Sequence, residues 1–204
     1  MRTFFPLSMA VAILVSASTP AMAASNTSDP FVITAEVTAT LTLSVTLKKN
    51  DSSGAVVTGM DFGRLVDIGT GTLRSSATST TATGAVAAFI TTNSHGTPYT
   101  VTQTGTALSN GTTTLPSGAC TVVPTYSAAD NGGASMPAGA VVGSAGSWVG
   151  TRTLYTSETG LAAMRTITAY YSITDDTAAG ATTGVPMNQP GGAYTGTITI
   201  TATA

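Results

Sequence analysis

Few side chains in this chain are equipped for catalysis or tight metal binding. The sequence holds one histidine and one cysteine, and its 7 basic and 9 acidic residues leave a net charge of −2. A hydrolytic triad needs a nucleophile, a base and an acid that orients the base. His95 is the single candidate base, and Asn93-Ser94-His95-Gly96 reads as a turn that leaves it in solvent. Asp175-Asp176 offers the hard oxygens that calcium takes, yet no acidic or amide residue follows at calcium-loop spacing, so the pair reads as a solvated loop. The other carboxylates are too scattered to name a glycosidase pair. Trp148, Tyr155, Tyr170 and Tyr171 are residue types that stack on sugars, but core packing is the expectation for them. Asn26, Asn50 and Asn110 stand in glycosylation-acceptor patterns that a threonine-rich chain produces by chance. A lone cysteine cannot close an internal disulfide, and Cys120 is expected to be a small buried hydrophobe. These residues point away from an enzyme and call for no cofactor or metal.

Function must then come from the elements themselves, and one segment dominates. From Phe31 to Leu47, alternate positions are apolar: Phe31, Ile33, Ala35, Val37, Ala39, Leu41, Leu43, Val45 and Leu47. Thr and Ser fill most of the other parity, Glu36 apart, and Val32 alone breaks the pattern. Successive strand side chains point to opposite faces, so the segment is extended, with one apolar and one wet side. At about 3.3 Å per residue it spans roughly 55 Å, against about 20 Å for an ordinary strand. One domain has difficulty burying all of it. Either it breaks into two strands or its first half is meant for another molecule.

Composition narrows the class. Arg2, the short apolar run Phe4 to Val15 and the small-residue pattern Ala21-Met22-Ala23 read as an export signal over residues 1–23, cleaved after Ala23. No later segment is apolar enough to cross a bilayer, and the mature chain is expected as one domain. Charged residues are only 8% of the sequence and roughly one residue in five is threonine. Basic residues cluster only at Lys48-Lys49, which argues against a nucleic-acid surface. Low charge with abundant threonine and 22 glycines describes a secreted β protein.

Further strands are expected at Met60 to Gly63 with Leu65 beyond, and at Ala85 to Thr92. A turn at Asn93 to Pro98 leads to a return strand Tyr99 to Thr102, the two forming a hairpin. Others follow at Cys120 to Tyr126, Ser147 to Tyr155 and Arg165 to Ile173. The last is a strictly alternating run through Tyr194, Gly196, Ile198, Ile200 and Ala202. Gly69 to Thr83 and Ala128 to Gly146 read as loops. With no helical period and about eight short strands, the fold class is all-β, a β-sandwich.

The order of features resembles the spore coat protein U-like family of secreted pilus subunits, the archaic branch of chaperone–usher pilins. The residues that carry the likeness begin with the alternating amino terminus, followed by Asp61-Phe62-Gly63 and Gly96-Thr97-Pro98-Tyr99-Thr100-Val101. Then come Ile167-Thr168-Ala169-Tyr170-Tyr171-Ser172-Ile173 and the terminal Gly192-Ala193-Tyr194-Thr195-Gly196-Thr197-Ile198-Thr199-Ile200. The resemblance implies an incomplete immunoglobulin-like, pilin-type sandwich over residues 41–204, completed by a donated strand. Residues 24–40 would be the donor segment, with Phe31, Ile33, Ala35, Val37 and Ala39 as its inserted side chains. Tyr194, Ile198 and Ile200 would line the groove on the terminal strand. Partners would be identical or related subunits, a periplasmic chaperone and an outer-membrane usher, and the product a cell-surface fibre. Members of the family usually carry a disulfide. Its first cysteine would fall near Leu43 and Val45 and its second near Thr91 to Asn93, and Cys120 is at neither place. The alternative is a self-contained adhesive or carbohydrate-binding β-sandwich, or a coat or matrix protein.

Overall fold

The computed structural model describes residues 41–77, 79–80, 84–160 and 163–204. Residues 1–23, expected as an export signal, and the expected donor residues Phe31, Ile33, Ala35, Val37 and Ala39 lie outside the described residues. Among those described there is no α-helix, and thirteen strands form three antiparallel sheets. In chain order they are β1 (Thr42–Lys49), β2 (Val56–Val57), β3 (Leu65–Asp67), β4 (Thr72–Ser75), β5 (Val86–Asn93), β6 (Thr100–Gly105) and β7 (Cys120–Tyr126). After these come β8 (Val141–Val142), β9 (Gly146–Ser147), β10 (Gly150–Thr156), β11 (Arg165–Ile173), β12 (Val185–Pro186) and β13 (Ile198–Thr203). The largest sheet runs β2-β1-β5-β11-β7-β9, the second β13-β6-β10-β8, and a small one β12-β4-β3.

The two larger sheets face each other across one core. Ala88 and Ile90 of β5, Val122 of β7 and Ile167, Ala169 and Tyr171 of β11 project from the first sheet. Val101 of β6 and Leu154 and Tyr155 of β10 meet them from the second. The strands at the centre of the first sheet are buried and rich in β-branched or small residues, as a doubly covered strand requires. Those of the second alternate, with threonines outward. The aromatics Trp148, Tyr155 and Tyr171 are 1%, 0% and 0% exposed, so three of the four offered as a sugar platform are core.

A buried polar chain joins the sheets. The Tyr171 hydroxyl donates to Gln103 Oε1 at 2.6 Å, and Gln103 Nε2 donates to the Trp148 carbonyl at 3.0 Å. Gln103 is 0% exposed. Trp148 also passes so close to β6 that a Cβ on Gly105 would lie 2.4 Å from its carbonyl oxygen. Only glycine fits there.

Several local expectations need correction. Asn93 to Pro98 does not close a hairpin: β5 pairs with β1 and β11, whereas β6 pairs with β10 and β13 in the other sheet. The left-handed His95 (φ 49°) and Gly96 (φ 97°) turn the chain across the sandwich, which buries Ile90 and Val101 on opposing layers. Met60 to Gly63 is not a strand. Asp61 Oδ1 accepts from the Gly63 amide at 2.8 Å, a tight side-chain turn, and pairing begins only at Leu65. Gly69 to Thr83 contains β4, Ser147 to Tyr155 is divided into β9 and β10, and the terminal strand begins at Ile198.

Two expected outcomes follow. Tyr171→Phe leaves Gln103 Oε1 buried without its donor and should cost about 1–3 kcal/mol in urea denaturation, part of which the double variant Tyr171→Phe/Gln103→Leu recovers. Burial pushes the Cys120 thiol up to about 12. It should therefore resist a thiol reagent at pH 8 in the folded protein and react with one equivalent once unfolded; prompt labelling of the native chain would contradict the packing.

Candidate functional site

The distinctive feature of the molecule is a seam along one side of the sandwich. On the first sheet, β1 is hydrogen-bonded to β5 over its full length, but on its other side, among the described residues, pairing is confined to Leu47 and Lys48 with β2 and to the Lys49 amide, which donates to the Ala55 carbonyl at 2.9 Å. On the second sheet, β13 pairs among the described residues with β6 alone. Among the described residues, Thr42 to Thr46 and the whole of β13 therefore present unpaired strand edges, and β1 and β13 are in contact along this same side. The apolar parity of β1 is incompletely covered: Leu43 is 38% and Val45 40% exposed. From the facing sheet, Ile198, Ile200 and Ala202 are half-buried against the core.

Where β1 ends and β13 begins, the seam widens into an open cleft of about 870 Å³. Its floor is aromatic. Phe62 stacks on Trp148 with centroids 5.1 Å apart and planes 19° apart, and Trp148 leans on Tyr171 at 5.9 Å. The turn made by Asp61 and Gly63 aims Phe62 inward, giving the Asp-Phe-Gly sequence a local physical role. Leu47, Leu65 and Leu73 add apolar wall. The opposite wall is the segment 189–196, which Tyr194 staples: its hydroxyl donates to the Pro190 carbonyl at 2.7 Å and accepts from Gln189 Nε2 at 2.8 Å.

The three groove residues named from sequence thus divide. Ile198 and Ile200 lie on the free-edged strand, while Tyr194 precedes it as a wall fastener. Phe62, Leu47 and Leu65 were not singled out as site residues. The sequence signal for them was weak, because an Asx turn next to an aromatic is common.

Apart from His95, the polar residues weighed for chemistry are otherwise engaged. His95 is exposed on its turn. Asp175 is held by Arg74 and by the Thr72 and Thr70 hydroxyls, and Asp176 accepts from the Ala178 amide at 2.9 Å. Asn50 is 8% exposed, and its amide donates to the Gly84 carbonyl at 2.6 Å, so it is not an open glycan acceptor. Asn110 Oδ1 caps its own turn through Thr112 and Thr113. The seam presents main-chain hydrogen-bonding groups beside part-exposed apolar side chains.

No family model, no curated protein and no solved structure matches this chain.

The Asp175 cluster fastens the small sheet that walls the cleft, since Thr72 and Arg74 belong to β4. Hydrogen bonding from Thr72, aided by Arg74 and Thr70, lowers the Asp175 carboxyl below its ordinary value of 3.8 against the opposing effect of burial. A carboxyl lowered on folding adds stability above its unfolded value and loses it as pH falls through the folded one. Asp175→Asn should therefore lose about 1–2 kcal/mol at pH 7. The gap to the parent should close below pH 3.8. An equal gap at pH 7 and pH 2 in urea titrations would contradict this.

Proposed function

We propose that the chain is a secreted structural subunit that polymerises by strand donation into a cell-surface pilus or fimbria. The seam receives the apolar segment Phe31 to Ala39 of the next copy. The observation that carries this reading is that, among the described residues, β1 from Thr42 to Thr46 and the whole of β13 have unpaired outer edges on one side of the sandwich, with Leu43 and Val45 part-exposed there. An extended segment laid there gains main-chain hydrogen bonds and inserts alternate side chains. Burying Phe31, Ile33 and Val37 would contribute roughly 1.5–3 kcal/mol each, enough with the pairing for a long-lived joint.

Two further observations support it. Leu43 and Thr92, near which the resembled family would place its two cysteines, are directly opposite partners in the β1–β5 ladder. Opposed residues of antiparallel strands have Cα atoms about 4.5–5.5 Å apart, within the reach of a disulfide. The chain polarity also suits a fibre. Thr42 lies opposite Asn93 and Thr203 opposite Thr100, so β1 starts at the end of the sandwich where β13 stops. A segment entering antiparallel to β13 leaves beside Ile198, and its own β1 begins two or three residues later. One end of each copy then abuts the other end of its neighbour. Such a head-to-tail contact does not close on itself, so it grows a filament.

A periplasmic chaperone that occupies the seam before assembly, and an outer-membrane usher, belong to the same proposal. The self-contained glycan-binding reading is weakened, because Trp148, Tyr155 and Tyr171 are buried.

The reading predicts that the mature chain forms filaments visible by electron microscopy. Deleting residues 24–40, or placing Asp at both Ile33 and Val37, should leave unpolymerised protein. Filaments of parental length from either variant would refute strand donation by this segment.

A further inference from the structure

The open seam is graded in size along its length. From the cleft outward, β13 turns Ile198, Ile200 and Ala202 toward the core, so its bulk falls toward the end where the strand stops. Before Ile198, Gly196 brings no side chain to the mouth of the cleft. β1 loses cover in the same direction. Leu47 is half-buried beside the cleft, whereas Leu43 is 38% and Val45 40% exposed. Thr42 lies opposite Asn93 and Thr203 opposite Thr100, and only residues 94–99 separate those two partners. The under-filled end is therefore the one where β1 starts and β13 stops.

The segment Phe31 to Ala39 carries the opposite gradient. Its apolar positions run Phe31, Ile33, Ala35, Val37 and Ala39, with the two largest side chains first. Laid antiparallel to β13, it brings those two to the under-filled end beside Leu43 and Val45. Laid parallel, it would put Phe31 on Ile198 and leave Val37 and Ala39 to fill the gap. Size selects the direction, because a core resists voids and overpacking alike.

Register comes next. A strand with one apolar face can slip only by two residues, since a slip of one turns every apolar side chain outward. Directly opposed side chains of an antiparallel pair are close neighbours. Ile33 opposite Ala202 sets Ala35 on Ile200, so large meets small at both places. Val37 then meets Ile198, Ala39 reaches Gly196, and Thr42, three residues on, opens β1 of the next copy. A slip of two toward the cleft crowds Ile33 onto Ile200. The opposite slip sets Ala35 on Ala202 and leaves a void. We propose that the donated segment locks antiparallel to β13 in this one register, and that the seam thereby selects by size a second copy of this chain. The inference rests on the strand-donation reading and adds the pairing by which one segment fits better than another.

Filaments grown from a mixture of differently isotope-labelled mature chains test the register without any substitution. Solid-state NMR contacts between chains are expected from Ile33 to Ala202 and from Val37 to Ile198. Filaments in which Ala202 instead meets Phe31 or Ala35 would overturn the register and leave strand donation standing. A mature chain that forms no filament would overturn both. Exchanging sizes within the segment, Ile33→Ala with Ala35→Ile, keeps its composition and alternation and leaves residues 41–204 untouched. That variant should leave roughly tenfold more chain unpolymerised than the parent. A filament yield equal to the parent's would overturn selection by size.

Discussion

The chain of hydrogen bonds from Tyr171 through Gln103 to the Trp148 carbonyl fixes the rest of the architecture. A buried amide that is paired at both ends allows little change in sheet separation or register, because any shift leaves a polar atom unsatisfied in the core. Trp148 is thereby held against Gly105, and its indole becomes the surface on which Phe62 stacks. The cleft floor is therefore an extension of the core. Among the described residues, one side of the sandwich keeps unpaired strand edges while the aromatic column closes the core from within.

The open side is unusual for what it lacks. Sheet edges in monomeric proteins are commonly blunted by charge, proline, a bulge or a covering loop. β13 reads Ile-Thr-Ile-Thr-Ala-Thr, with no charge and no proline, and its ladder to β6 has no register shift. In β1 the two lysines lie only at the far end, where β2 already covers the edge. The outward threonines keep such edges soluble without obstructing pairing, since a hydroxyl is small and uncharged. This is how so low a charged fraction, 8% of the residues, serves the architecture.

Much of the fold was legible because alternation marks strands whatever their partners. β5, β7 and β11 stand close to where the sequence placed them, and Ile167, Ala169, Tyr171 and Ile173 all point inward as their spacing required. Period two does not say which sheet a strand joins, so the crossing at His95 was read as a hairpin. The register shift between Thr153 and Tyr155 buries two successive residues, Leu154 and Tyr155, which simple alternation forbids. Of the seam, the β13 residues Ile198 and Ile200 were accessible from sequence. Phe62 was not, because its role depends on a Trp148 that is distant in the chain and on a turn set by one aspartate.

One consequence follows from the sealed position of Cys120, flanked by the core on β7 and without a second thiol anywhere in the sequence. No disulfide can form within the chain, so the fold is held by packing and hydrogen bonding without a covalent cross-link, and oxidising and reducing surroundings present this sequence with the same folding problem.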